Sequence, residues 1–217
     1  FCMSIHENLD YRCGFAAIIG KPNVGKSTLM NAFMQTKLAI VTPKPQTTRK
    51  SIMGIISSET AQLVFVDTPG WLEPRYKLQE KMKRYIETAL ADADVLLAVF
   101  DVSSTFTPYD EQILAIVQQA AKPSFILLNK CETVSAEALQ QFQMHFEDFE
   151  DGQIFPVSAL ENQGIEPLLK KIEAALPLSP PLYDPEYIST QSSRFHAEEI
   201  IRERLFLFLE NEVPYST

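Results

Sequence analysis

Gly20-Lys21-Pro22-Asn23-Val24-Gly25-Lys26-Ser27-Thr28 decides the reading of this chain. The stretch fits the phosphate-loop pattern G-x-x-x-x-G-K-[ST]. A short apolar run, Phe15-Ala16-Ala17-Ile18-Ile19, precedes it and reads as a buried strand; a helix-period run, Leu29-Met30-Asn31-Ala32-Phe33-Met34, follows it. Strand, loop and helix together make an anion trap. Successive backbone N–H groups point into one concavity, and the helix N-terminus adds partial positive charge. Gly20 and Gly25 allow backbone conformations that side chains forbid. Lys26 is expected to reach the outer phosphates, and Ser27 to offer its hydroxyl to Mg²⁺. Asn23, Val24, Gly25 and Thr28 complete the expected cradle.

Outward from the loop, strand-like and helix-like runs alternate to about residue 176. Leu63–Val66, Val95–Phe100, Phe125–Leu128 and Ile154–Val157 are near-continuous apolar runs. Between and after them lie helix-period stretches, Lys77–Leu90, Pro108–Ala121, Ala136–Phe149 and Ile165–Leu176; Thr107 reads as an N-cap before a proline at the first helical position. Strands this apolar are buried on both faces, so the fold class is α/β, a mostly parallel sheet with helices on both sides. Each strand runs into a polar residue: Asp67, Asp101, Asn129 or Ser158. Ligands of open parallel sheets bind at the carboxyl ends of the strands, so most of these residues are expected to gather beside the phosphate loop.

Asp67-Thr68-Pro69-Gly70 adds chemistry at that edge. The aspartate can hold Mg²⁺ through water, and the Gly70 N–H can meet a γ-phosphate. Thr47 and Thr48, within Pro45-Gln46-Thr47-Thr48-Arg49, fall in a polar stretch between the first helix and the next strand. A threonine there can close over metal and γ-phosphate as a switch; Thr48 is the expected metal ligand, with Ser27 and Asp67.

Composition narrows the rest. The 217 residues, 46% of them hydrophobic, suffice for one sizeable α/β domain plus a fragment. No apolar run approaches the roughly 20 residues that span a bilayer. The net charge of −9 argues against a broad basic face for nucleic acid on this piece. Cys2, Cys13 and Cys131 have neither metal nor disulfide spacing, which fits a reducing cytosol, and His6, His145 and His196 are isolated. The chain begins at Phe1 and not Met, which reads as a trimmed start, and shows no Arg-rich transit or signal peptide. Pro177, Pro180, Pro181 and Pro185 mark a change of character. The expected organisation is an N-terminal extension (1–13), the main domain (14–176), a proline-rich linker (177–193) and, over 194–217, the first helix of a truncated second domain. Phe195, Ile200, Ile201, Leu205, Phe208 and Leu209 give that helix an apolar stripe, with Phe206 and Leu207 beside it, and the stripe needs a partner.

Asn129-Lys130-Cys131-Glu132 and Ser158-Ala159 complete a series. The order G-x-x-x-x-G-K-S, Thr, D-x-x-G, N-K-x-D, S-A, matched here except at Glu132, resembles the GTPase fold, a Ras-like G domain. The resemblance implies that Asn129 braces the loops around the base, that Lys130 lies along the base plane, that the acidic residue accepts from guanine, and that the Ser158-Ala159 backbone donates to the guanine carbonyl. Glu132 departs from the usual Asp by one methylene. It keeps the acceptor chemistry that guanine needs, yet related ATPases of the Obg-like kind carry Glu near this position, so an ATP-preferring relative stays open. Trp71 stands where Ras-like enzymes have a water-orienting Gln. A nucleotide-bound scaffold with negligible turnover therefore stays open too, as does, less well given the charge, an RNA-binding module in its own right.

In finer detail the chain resembles the Era-type GTPases: Pro22-Asn23-Val24, Gln46-Thr47-Thr48-Arg49, Asp67-Thr68-Pro69-Gly70, and in the tail Arg194-Phe195, Glu199-Ile200-Ile201-Arg202-Glu203 and Pro214-Tyr215-Ser216. The resemblance implies GTP hydrolysis, action in small ribosomal subunit maturation through ribosomal RNA binding by a KH domain, a cytoplasmic location and room for peripheral membrane association. It further implies Lys26, Asn23, Thr48 and Gly70 around the γ-phosphate, with Asn23 holding K⁺ in place of an arginine finger.

Overall fold

The structure is a computed structural model, and it describes residues 10–41, 48, 51–73 and 77–208. Strand β1 (Arg12–Gly20) leads through the phosphate loop into helix α1 (Lys26–Met34). There follow β2 (Ile52–Ser57), β3 (Ala61–Asp67), α2 (Lys77–Asp92), β4 (Val95–Asp101), α3 (Pro108–Gln119), β5 (Ser124–Asn129), α4 (Ala136–Gln143), β6 (Ile154–Val157), α5 (Ile165–Ala175) and α6 (Ser193–Phe208). The sheet order is β2-β3-β1-β4-β5-β6. Only β2 runs antiparallel to its neighbour, because a short turn joins it to β3.

Alternate side chains of the central strands enter opposite layers. Ile18, Phe65, Leu97 and Leu127 pack with Leu29, Phe33, Leu168 and Ile172 from α1 and α5. Ile19, Phe100, Ile126 and Leu128 pack with Ile86, Ile113 and Val117 from α2 and α3. Burial on both faces is the physical reason these strands read as unbroken apolar runs. The register aligns the carboxyl ends: Ile18 lies opposite Asp67, and Asp101 opposite Asn129.

Three expectations shift. First, the sheet begins at Arg12 rather than Gly14, with Tyr11 already buried, so the extension ends earlier than expected. Second, Ala136–Phe149 is not one helix. After Gln143 the chain tightens to a 3₁₀ turn, Met144–Phe146, that sets Phe146 edge-on against Phe100 at 4.8 Å. Third, the proline-rich segment is strapped to the domain. Leu178 bridges Arg12, Gln62 Oε1 accepts from the N–H groups of Leu182 and Tyr183, and the Ile55 N–H donates to the Ile188 carbonyl.

Helix α6 docks by its polar side. Glu199 and Glu203 are buried, while Ile200, Ile201, Leu205 and Phe208 stay exposed; of the expected stripe, Phe195 packs on the domain. The reason is that Glu203 finds partners there, accepting from Lys37 Nζ at 2.6 Å and from the Val41 N–H at 3.2 Å. Leu209, the Pro214-Tyr215-Ser216 stretch and the side chains of Phe206 and Leu207 lie outside the described residues. Among the described residues no helix is long and apolar enough to cross a membrane.

Candidate nucleotide-binding site

The phosphate loop is bent by backbone that ordinary residues avoid. Asn23 and Gly25 have φ of 64° and 98°. At Gly25 a side chain fails twice, since a Cβ would also collide with Asn129 Nδ2. Inside the loop, Lys26 Nζ donates to the carbonyls of Gly20 at 3.0 Å and Lys21 at 2.7 Å. Burial lowers the Lys26 pKa to about 8, and the charge of Asp67 partly restores it. A polyanion brought beside this ammonium stabilises its charged form.

Ser27, Thr48 and Asp67 meet, although 40 residues separate the first from the last. Ser27 Oγ donates to Asp67 Oδ2 at 2.7 Å and lies 2.9 Å from Thr48 Oγ1. Burial raises the Asp67 pKa to about 6, against the opposing pull of Lys26, Ser27 and Thr48. Its second oxygen, Oδ1, is buried without a hydrogen-bond partner. Three hard oxygen donors with one carboxylate oxygen unsatisfied suit a small divalent cation such as Mg²⁺. Thr47 lies outside the described residues.

The segment after β3 presses on the loop. The Trp71 N–H donates to the Gly20 carbonyl at 2.9 Å, and a Cβ on Gly70 would stand 2.7 Å from the Pro22 nitrogen. No motif marks Lys21 as a partner of α3, where its Nζ lies 2.6 Å from Asp110 Oδ2 and 3.2 Å from Thr107 Oγ1. The helix start itself was readable: Thr107 caps α3, with Asp110 accepting from the Thr107 N–H.

At the other end, Asn129 bolts two loops together. Its Nδ2 donates to the Val24 carbonyl at 2.8 Å, and its Oδ1 accepts from the Ala159 N–H at 3.0 Å. Lys130 has φ of 67°, uncommon for a non-glycine residue, and its ammonium is anchored by Asp101. The Glu132 carboxylate has one oxygen, Oε2, buried without a partner. One expectation needs correction: the N–H groups of Ser158 and Ala159 both already have protein acceptors. Ser158 donates to the Gln163 carbonyl and Ala159 to Asn129, because the Ser158–Gln163 turn closes on itself. Of the remaining expected residues, Asn23 is exposed in the loop and Thr28 is half-buried on α1. Among the described residues no His, Cys, Asp and Glu cluster suits a metal.

A family model described as 50S ribosome-binding GTPase matches residues 15–130. The GTPase Era of Thermoanaerobacter sp. (strain X514) is 37% identical over 208 residues, 95% of this chain and 69% of the relative. The chain belongs to the Era family of GTPases. Two solved Era structures share its fold at 33% identity, each covered over 94% of this chain and 70% of theirs. One is Aquifex aeolicus Era bound to GDP·AlF4−, with a TM-score of 0.86. The other is Era in complex with MgGDPNP and nucleotides 1506–1542 of 16S ribosomal RNA, with a TM-score of 0.87. As an Era GTPase the chain binds and hydrolyses GTP, and the ATP-preferring and scaffold alternatives are not favoured.

Proposed function

We propose that the carboxyl edge of this sheet is the site of a guanine-nucleotide switch whose state is read by ribosomal RNA. The carrying observation is the convergence of Ser27, Thr48 and Asp67 with an unpartnered Asp67 Oδ1 beside the buried Lys26. The loop from Asn23 to Thr28 holds the phosphates. Ser27, Thr48 and Asp67 hold Mg²⁺, which when bound offsets charge building on the phosphate oxygens. Lys26 and the Gly70 N–H meet the γ-phosphate, and Asn129, Lys130, Glu132, Ser158 and Ala159 form the base end. Glu132 is acceptor-only, which matches the two donors of guanine and not the edge of adenine. Water attacks the γ-phosphate through positioning and charge stabilisation. By family likeness, Asn23 would hold a K⁺ ion in place of an arginine finger.

Calorimetric titration with GDP and with ADP, both with Mg²⁺, tests the base. GDP is expected to bind at least ~10-fold tighter, and equal affinities would overturn the assignment of Glu132. Single-turnover phosphate release in K⁺ and in Na⁺ buffers tests the cation, and equal rates would remove Asn23 from that role.

Ribosomal RNA is assigned to the same protein on the strength of the Era complex with a 16S fragment. In this reading residues 14–176 are the G domain, 177–193 the connection and 194–217 the opening helix of a KH-type domain, whose remaining elements would cover Ile200, Ile201 and Leu205. Action in small-subunit maturation, a cytoplasmic location and peripheral membrane contact rest on family likeness.

A further inference from the structure

Trp71 follows Gly70 directly, and three elements hold it. Its backbone N–H donates to the Gly20 carbonyl at 2.9 Å, the same carbonyl that accepts from Lys26. Its indole Nε1–H donates to Gln112 Oε1 on α3 at 3.0 Å. Its ring lies under Lys83 of α2, 5.7 Å from Nζ to the centroid, and packs on the layer formed by Ile86, Phe100 and Ile113. Helix α3 is itself fastened to the phosphate loop, through Lys21 with Asp110 and Thr107. The contacts close a triangle: phosphate loop to α3, α3 to Trp71, Trp71 back to the phosphate loop.

Such a triangle constrains Gly70. The residue is pressed on Pro22 so closely that no side chain fits, and the residue after it is fixed at both backbone and ring. We infer that Trp71 is a positioning residue for γ-phosphate recognition: anchored by Gln112, it sets the Gly70 N–H where a triphosphate, and not a diphosphate, uses it. The large side chain in place of a water-orienting glutamine thus has a task, which is to hold its neighbour. This inference rests on the reading of Gly70 as the γ-phosphate donor.

The test measures GDP and GDPNP affinity, with Mg²⁺, for the full chain and four variants. Gln112→Leu removes the acceptor from an exposed position on α3, and Trp71→Phe keeps a ring but loses the donor. Each is expected to weaken GDPNP roughly 3- to 10-fold, the worth of one hydrogen bond, and to leave GDP unchanged. Gln112→Glu keeps an acceptor for the indole and is expected to retain the GDPNP preference. Equal weakening of both nucleotides, or no change in either, overturns the role of Trp71, because a merely structural contact does not discriminate between them. Gly70→Ala separates the two readings. If it fails to weaken GDPNP selectively, the γ-phosphate role of Gly70 falls and the inference with it. If it does so and Gln112→Leu does not, only the role of Trp71 falls. Trp71 is the chain's only tryptophan, so its fluorescence in the GDP form reports directly whether Gln112→Leu has released the ring.

Discussion

The phosphate end and the base end of the proposed site are built differently. At the phosphate end the polar groups largely satisfy one another before any ligand arrives: Lys26 with two carbonyls, Ser27 with Thr48 and Asp67, Lys21 with α3. Backbone does most of the work there, and backbone geometry is fixed by a few residues close in sequence. At the base end one side chain, Asn129, ties the loops, and in the proposed reading the Glu132 carboxylate, with its unpartnered oxygen, recognises the base. In the proposed reading the first end serves any nucleotide, and the second chooses among them through a single acceptor. On that reading phosphate binding and base discrimination are separable properties.

The comparison can be broken from either side. Gly25→Ala is the strongest blow, since it meets both a φ of 98° and the Asn129 amide. It should cut affinity for GDP and ADP alike by more than ~100-fold in calorimetry, strain and collision together costing about 3 kcal/mol or more. Asp67→Asn should leave Mg²⁺-free GDP binding nearly intact and remove most of the gain on adding Mg²⁺, about 10- to 100-fold. A variant that still gained from Mg²⁺ would place the metal elsewhere. Asn129→Ala touches both ends at once. It strands the Val24 carbonyl and the Ala159 N–H, so thermal unfolding of the nucleotide-free protein should show about 1–3 kcal/mol of destabilisation. Smallest and most selective is Glu132→Asp, which should alter the GDP-to-ADP affinity ratio by less than ~10-fold while leaving the response to Mg²⁺ unchanged. A changed Mg²⁺ response in that variant would show that the two ends are not independent.

Much of this architecture could be read from the chain. The strands β1, β3, β4 and β5 announced themselves because they are almost wholly buried, and Asp67, Asp101 and Asn129 at the ends of the last three pointed to one edge of the sheet. Strand β2 was visible only as an unbounded strand after the polar stretch. The break after Gln143 was not legible because helical periodicity runs on through Met144–Phe146, and only the pull of Phe146 toward Phe100 tightens the turn. Gln62 gave no signal either. A buried amide in the middle of an apolar strand becomes intelligible once the strap of residues 182 and 183 is seen to donate to it.

By itself the sequence determined the phosphate loop and the class of sheet, since each depends on local spacing: which glycine can turn, which runs are apolar enough to be buried on both faces. Only the tertiary structure decided that Lys21 would reach Asp110, that Trp71 would be held by Gln112, and that α6 would bury Glu203 against Lys37 and Val41. Those pairs lie from 41 to 166 residues apart in the chain. No motif or periodicity in this chain marks these particular contacts; they follow from how helices pack on a completed sheet.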